Sequence, residues 1–234
     1  MFGHAADVLG VSQVLTEAHV LHDVILDQDL VDKGLLNRYK LLILASASCL
    51  GARQVEAVRG YVAEGGAVLA TANAGLLNEV GLPQETFQLA DVFGVDVLPA
   101  GTARGPVTCR DREGEGSFVH PAGVLRVKAR EGATVRSDVL DAKGNPAWPA
   151  VVSNAVGRGR SLYVAMAIGA ANYQTEGRAG APSSFEPNAA LAERLLAMIR
   201  STASVPLDFQ AVAVPSRVMV SACREGDAAG GELQ

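Results

Sequence analysis

A chain of 234 residues with 49% hydrophobic and 19% charged side chains has enough apolar material to offset the entropy of ordering a core, which excludes general disorder. Its formal net charge of -5 offers no basic field to a phosphate backbone, so nucleic acid is not an expected partner. Cys49, Cys109 and Cys223 stand far apart with no CxxC pair, and neither a zinc knuckle nor a disulfide framework is expected. No apolar run reaches membrane-spanning length, and no basic start leads into an apolar stretch at the N-terminus. The chain therefore reads as soluble, without a membrane partner, with the cytoplasm as its default compartment.

Along the chain, Val8, Leu9, Val11, Val14 and Leu15 recur at helical spacing and predict a helix over residues 5–18. Asp7 falls near its start, where negative charge suits the helix dipole. Residues 20–26 (VLHDVIL) and 40–45 (KLLILA) read as strands, the second buried on both faces, with an acidic loop between them. A helix over 51–64 follows, its inner face marked by Val55, Val58, Tyr61 and Val62 and its stop by Gly65-Gly66. The next strand is 67–71 (AVLAT). Strand, helix, strand with short connections is the parallel crossover from which open α/β sheets are built.

Beyond Gly75 the pattern changes. A short helix over 87–93 ends at Gly94, and residues 95–149 read as an inserted β-rich excursion with the short runs VLRVKA and TVRSDVL. A hairpin of 150–154 and 161–168, a polar loop over 169–187 and a closing helix over 188–200 complete the domain. The stripe of that last helix is Leu191, Leu195, Leu196 and Ile199. Pro206 and Pro215 punctuate two strand-like runs, 209–214 and 217–223, which predict the start of a C-terminal β-domain or a hairpin over 204–234. A doubly wound sheet normally opens with a strand that feeds the first helix. Residues 1–4 are too few for one, so the expectation is a domain over 1–203 that lacks its first strand.

The run from Leu15 to Gly81 resembles the β-galactosidase trimerisation domain, which follows the catalytic barrel in family 42 glycoside hydrolases. Ala18-His19-Val20-Leu21-His22-Asp23-Val24-Ile25 fills the place of that family's first strand motif, and Asp27-Gln28-Asp29-Leu30 that of its acidic loop. Arg38-Tyr39-Lys40-Leu41-Leu42-Ile43-Leu44 and residues 55–66 match the next strand and helix. Leu89-Ala90-Asp91-Val92-Phe93-Gly94-Val95, Pro149-Ala150-Val151-Val152 and Gly157-Arg158-Gly159-Arg160 with Tyr163 continue the likeness in the same order. The resemblance implies a flavodoxin-like, class I glutamine amidotransferase-like fold: an open, mainly parallel sheet with helices on both faces. It further implies lost catalysis, homotrimer or other homo-oligomer assembly, and a preceding glycoside hydrolase barrel as the domain partner.

Catalytic members of that superfamily carry a nucleophilic cysteine on a tight strand-to-helix turn, where helix amides depress its pKa. The corresponding turn here reads Ala72-Asn73-Ala74-Gly75, and the place of the catalytic histidine reads Gly169-Ala170-Ala171-Asn172-Tyr173. Neither offers the required group, so no catalytic residue is expected. Glycosidase chemistry needs a pair of carboxyl groups, and the catalytic barrel that the resemblance implies would take about 250 residues and eight βα units, a repetition that does not appear. Cys49, at the end of a parallel strand, is expected to be a small buried residue under the next helix. His4 and His120 are expected to be solvated near loops. His19 and His22 fall on a strand, where positions three apart face opposite ways, so no metal and no cofactor are expected.

The acidic loop 27–32 reads as a solvated turn. The candidate ligand-binding residues are Thr71, Asn73, Asn172 and Tyr173, which would gather beyond the strand ends and offer hydroxyl and amide groups to a carbohydrate. Ordinary loop residues are the competing reading. An alternative function of another class is a small-molecule or sugar-binding or hydrolytic domain of the trehalose-utilisation type.

Overall fold

The structure, a computed structural model, describes residues 3–114, 116–172 and 188–203. Helix α1 (His4–Glu17) buries Asp7, Gly10, Val11, Val14 and Leu15, the i, i+3, i+4, i+7 spacing of one helical face. His19, with φ of 56°, turns the chain out of the helix. A 3-10 turn (Asp27–Val31) and the single-turn helix α2 (Lys33–Leu36) follow, α2 capped where the Asp32 side chain accepts from Leu35 N. Next come β1 (Leu41–Leu44), α3 (Ala52–Ala63), β2 (Ala67–Thr71) and α4 (Ala90–Phe93).

Helix α3 stops for a definable reason. Gly66 N donates to Tyr61 O and Gly65 N to Val62 O, the double closure of a Schellman motif, and Gly65 takes the left-handed φ of 118° that the motif demands.

The remaining strands are β3 (Val95–Ala103), β4 (Val107–Asp111), β5 (Ser117–His120), β6 (Val124–Ala129), β7 (Thr134–Leu140), β8 (Pro146–Val156) and β9 (Gly159–Val164). A 3-10 turn (Ala170–Asn172) and α5 (Ala189–Ala203) complete the described chain. One seven-stranded sheet runs β1-β2-β9-β8-β7-β4-β5, and a two-stranded sheet pairs β3 with β6. Every residue of β2 is buried, so both faces of the sheet are covered there. Helix α5, with α1 beside it, lies across β1, β2 and β9, while α3 and α4 pack against β2, β8 and β9. Phe87, Phe93 and Tyr163 form an aromatic knot in the core, with ring centroids 5.1 to 5.7 Å apart.

Three expectations are corrected. The sheet is not mainly parallel: only β1 with β2 and β2 with β9 run parallel, and the pairs β9–β8, β8–β7, β7–β4 and β4–β5 are antiparallel. The flavodoxin-like open parallel sheet therefore gives way to a mixed α/β fold with a mostly antiparallel sheet. The physical cause lies in residues 95–149, of which β4, β5 and β7 join the main sheet while β3 and β6 pair as a two-stranded sheet of their own. The connections β4–β5, β7–β8 and β8–β9 are short, and a short connection between neighbouring strands permits only antiparallel pairing.

Residues 20–26, read as a strand from apolar content, form none. Leu21, Val24 and Leu26 are exposed, and the backbone groups of residues 21–25 pair with nothing among the described residues. Strand status requires a neighbour as well as composition. The strand-like runs 209–214 and 217–223 lie outside the described residues.

Candidate functional site

The C-terminal ends of β1, β2 and β9 meet the start of α1 at a buried polar cluster. Asp7 is fully buried. Its Oδ2 accepts from Ser46 Oγ at 2.6 Å and from Thr71 Oγ1, and its Oδ1 accepts from Ala170 N at 3.1 Å. Ser46 N in turn donates to Thr71 Oγ1 at 2.8 Å. One side chain on α1 is thereby tied to residues that leave all three parallel-paired strands.

The approach is close enough to exclude side chains. A Cβ on Gly10 would stand 1.9 Å from Gly169 O, and one on Gly169 would stand 2.3 Å from Asp7 O. Asp7 and Ser46 were not among the sequence candidates, although the signal existed: Asp7 shares the helical face of Gly10, Val11 and Val14, which is the buried one.

At the end of β2, Ala72 holds a left-handed φ of 47°, costly for any residue with a Cβ. Its N–H donates to Val164 O at 2.8 Å and its carbonyl accepts from Tyr163 OH at 2.6 Å, which hold it there. A left-handed residue at a strand end has the geometry of a nucleophile elbow, but this one is a fully buried methyl group.

Of the candidate ligand residues, Thr71 is fully buried with its hydroxyl engaged by Asp7 and Ser46. Asn73 and Asn172 are buried with Oδ1 atoms that have no partner among the described residues, while Asn172 Nδ2 donates to Ile168 O at 3.1 Å. Tyr173 lies outside the described residues.

Other placements differ from expectation. His120 is fully buried rather than solvated, with Nδ1 2.9 Å from Ala122 O and Nε2 3.3 Å from Ala167 O, and burial pushes its pKa down. A loop tip read from sequence closes onto the end of β9, which only the fold reveals. Cys49 is exposed rather than buried, because its neighbour Leu50 takes the inward position and donates its N–H to Leu77 O. Cys109 is buried, which pushes its thiol up to about 12 and leaves it unreactive. His22 bonds Val20 O through Nδ1 and Ser12 Oγ through Nε2. Among the described residues no three His, Cys, Asp or Glu side chains gather as a metal site, and no helix is long and apolar enough to cross a membrane.

Leu26 precedes the acidic 3-10 turn and Val31 ends it, and Val80 and Leu82 occupy the tip of a neighbouring loop; all four are exposed. Both elements border the start of α3. Gln54 Nε2 donates to Asp27 O at 2.8 Å, and Gly51 lies against Glu79. The loop 78–82 supports itself, with Asn78 Oδ1 accepting from the N–H groups of Val80 and Leu82. Large apolar side chains gathered at one place on a surface mark an interaction site.

The profile of the β-galactosidase trimerisation domain family matches residues 13–176. Among solved structures, a β-galactosidase from Bacillus circulans sp. alkalophilus is similar at a TM-score of 0.68 and 20% identity, over 88% of this chain and 28% of that one. The cold-adapted β-galactosidase from Rahnella sp. R3 is similar at a TM-score of 0.65 and 19% identity, over 86% of this chain and 27% of that one. That from the haloarchaeon Halorubrum lacusprofundi is similar at 0.63 and 18%, over 86% and 26%. The chain thus spans little more than a quarter of the length of these proteins. A comparison with curated proteins returns no match.

Proposed function

The chain belongs to the β-galactosidase trimerisation domain family, assembly modules of β-galactosidase-like glycoside hydrolases, and we propose that it holds three copies of its parent enzyme about a cyclic axis. The family match over residues 13–176 carries this reading. The exposed apolar side chains Leu26, Val31, Val80 and Leu82 support it, since a cyclic assembly must bury apolar surface between neighbours. A glycoside hydrolase barrel is the proposed partner domain.

Light scattering tests the reading. The purified chain, or the parent protein, is expected to elute with three times its monomer mass, 24.2 kDa for the chain. The double substitution Val80→Asp and Leu82→Asp should release monomers, because it places charge on a loop whose own hydrogen bonds stay intact. A parent protein that is monomeric at micromolar concentration overturns the proposal. Hydrolysis of a nitrophenyl galactoside by the chain alone is expected to be nil.

The relation to class I amidotransferase-like proteins is part of the same reading. It is supported by the left-handed Ala72 at the end of a parallel-paired strand, within the turn Ala72-Asn73-Ala74-Gly75 where that superfamily's nucleophile would stand. A second reading, carbohydrate binding beyond the strand ends, has one observation in its favour: the unpartnered, buried Oδ1 atoms of Asn73 and Asn172. Thermal shifts with a sugar panel test it, and a shift that Asn73→Ala abolishes is the supporting result.

A further inference from the structure

Arg126 of β6 and Trp148 of β8, the single tryptophan of the chain, meet where the two-stranded sheet lies against the main one. The Arg126 guanidinium carbon stands over the Trp148 ring, 4.9 Å from its centroid. Trp148 is half-buried and pairs with the buried Val139 of β7, so its ring packs on the core and Arg126 covers it. A cation on an indole face is a common surface arrangement and by itself implies no ligand. What sets this pair apart is the state of its donors.

Arg126 Nε and Trp148 Nε1 are both shut off from solvent, and neither has an acceptor among the described residues. Both groups can only donate. A buried donor without an acceptor is costly, and such groups are normally satisfied by protein, water or ligand. Two of them side by side, one on a full positive charge, require an acceptor that has several lone pairs and a negative charge. The described carboxylates do not supply it. Asp96 of β3 stands across from Lys128, the next residue on the Arg126 face of β6, but its Oδ1 accepts from Arg130 Nε at 2.9 Å and Nη2 at 2.7 Å. Arg126 itself forms no ion pair among the described residues.

The backbone beside Arg126 is uneven. Val127 pairs with Val97 and Leu125 with Thr102, so residues 98–101 of β3 bulge opposite Arg126 alone. The bulge holds Pro99, which has no N–H, and Gly101 at a left-handed φ of 62°. Bulges re-aim side chains, and this one leaves Arg126 without a cross-strand neighbour.

We propose that Arg126 and Trp148 form a binding site for the carboxylate of a small organic or sugar acid, whose oxygens accept from Arg126 Nε and Trp148 Nε1. A carboxylate has two oxygens for the two donors, and a guanidinium binds it in plane as a charge-assisted pair. A neutral hydroxyl could satisfy one donor but would leave the charge unpaired. The site is built on β6 and β8 and not on the loops proposed for assembly, so it stands or falls independently of that reading.

Because Trp148 is the only tryptophan, the emission of the purified chain reports on this site directly. Galacturonate is the probe and galactose its neutral counterpart, both titrated at constant ionic strength. Galacturonate is expected to give a saturable change with a Kd of about 1–10 mM, and galactose none. Arg126→Gln should weaken binding by at least about 10-fold, and Arg126→Lys, which keeps the charge without the planar fork, should fall between it and the parent chain. Trp148→Phe keeps a ring and removes the donor, and calorimetry should show weaker binding there too. Circular dichroism melts establish that each variant is folded. No change in emission by about 50 mM galacturonate overturns the proposal, as does an equal response to galactose or an undiminished response in Arg126→Gln. Calorimetry on the whole parent protein should find the same binding; its loss there overturns the proposal by making a carboxylate of the parent the occupant.

Discussion

Replacement of Asp7 by alanine tests whether the polar cluster at the strand ends holds α1 in place. The substitution leaves Ala170 N and the hydroxyls of Ser46 and Thr71 without their acceptor, in a region where Asp7, Ser46 and Thr71 are all fully buried. An unsatisfied buried donor costs about 1–3 kcal/mol. The Ser46 hydroxyl can turn to a new partner, whereas the amide of Ala170 cannot, so the expected loss is about 3 kcal/mol rather than the sum over three donors. In a domain of this size that lowers Tm by about 6–12 °C. Circular dichroism during thermal and urea unfolding measures it. Thr71→Val, which removes one donor and leaves Ser46 N unpaired, should cost about 1–2 kcal/mol. The double variant should lose less than the two single losses together, because both act on one network. An Asp7→Ala protein that melts within about 2 °C of the parent refutes the claim that these bonds carry α1.

Gly10→Ala should destabilise the protein, although alanine at a helix interior normally gains about 1 kcal/mol over glycine. The new Cβ would meet Gly169 O at 1.9 Å, and a Tm equal to or above that of the parent would contradict the close contact. Burial lowers the pKa of His120 below its ordinary value of 6.5. The unfolded chain therefore takes up a proton that the native one resists, and stability present above pH 6.5 is lost as pH falls below it. Stability measured by urea unfolding should fall less from pH 7.5 to pH 5.5 in His120→Gln than in the parent; equal losses would show that His120 does not drive the change. Iodoacetamide should label Cys49, which is exposed, and spare Cys109, whose thiol is pushed up to about 12. Peptide mapping of the native protein checks this, and early modification of Cys109 would contradict its burial.

Local pattern determined a good deal. Apolar spacing located α1, α3 and α5 to within a few residues, Gly65-Gly66 marked the stop of α3, and the ordered motifs from Leu15 to Gly81 pointed to the family that the profile match over 13–176 then established. These are short-range properties: helical periodicity and cap chemistry are written within a few residues of one another.

Partnership was decided by the tertiary structure alone. Residues 20–26 and 41–44 are similar apolar runs, yet one is a strand and the other is not, because a strand exists only where a second backbone lies beside it. The same dependence placed β4, β5 and β7, from within residues 95–149, in the antiparallel part of the main sheet. It also placed Asp7 at Thr71, 64 residues away, and enclosed His120 against Ala167, 47 residues away. Burial of a polar side chain is set by what the rest of the chain brings to it, and that information is spread over contacts which no local window of sequence contains.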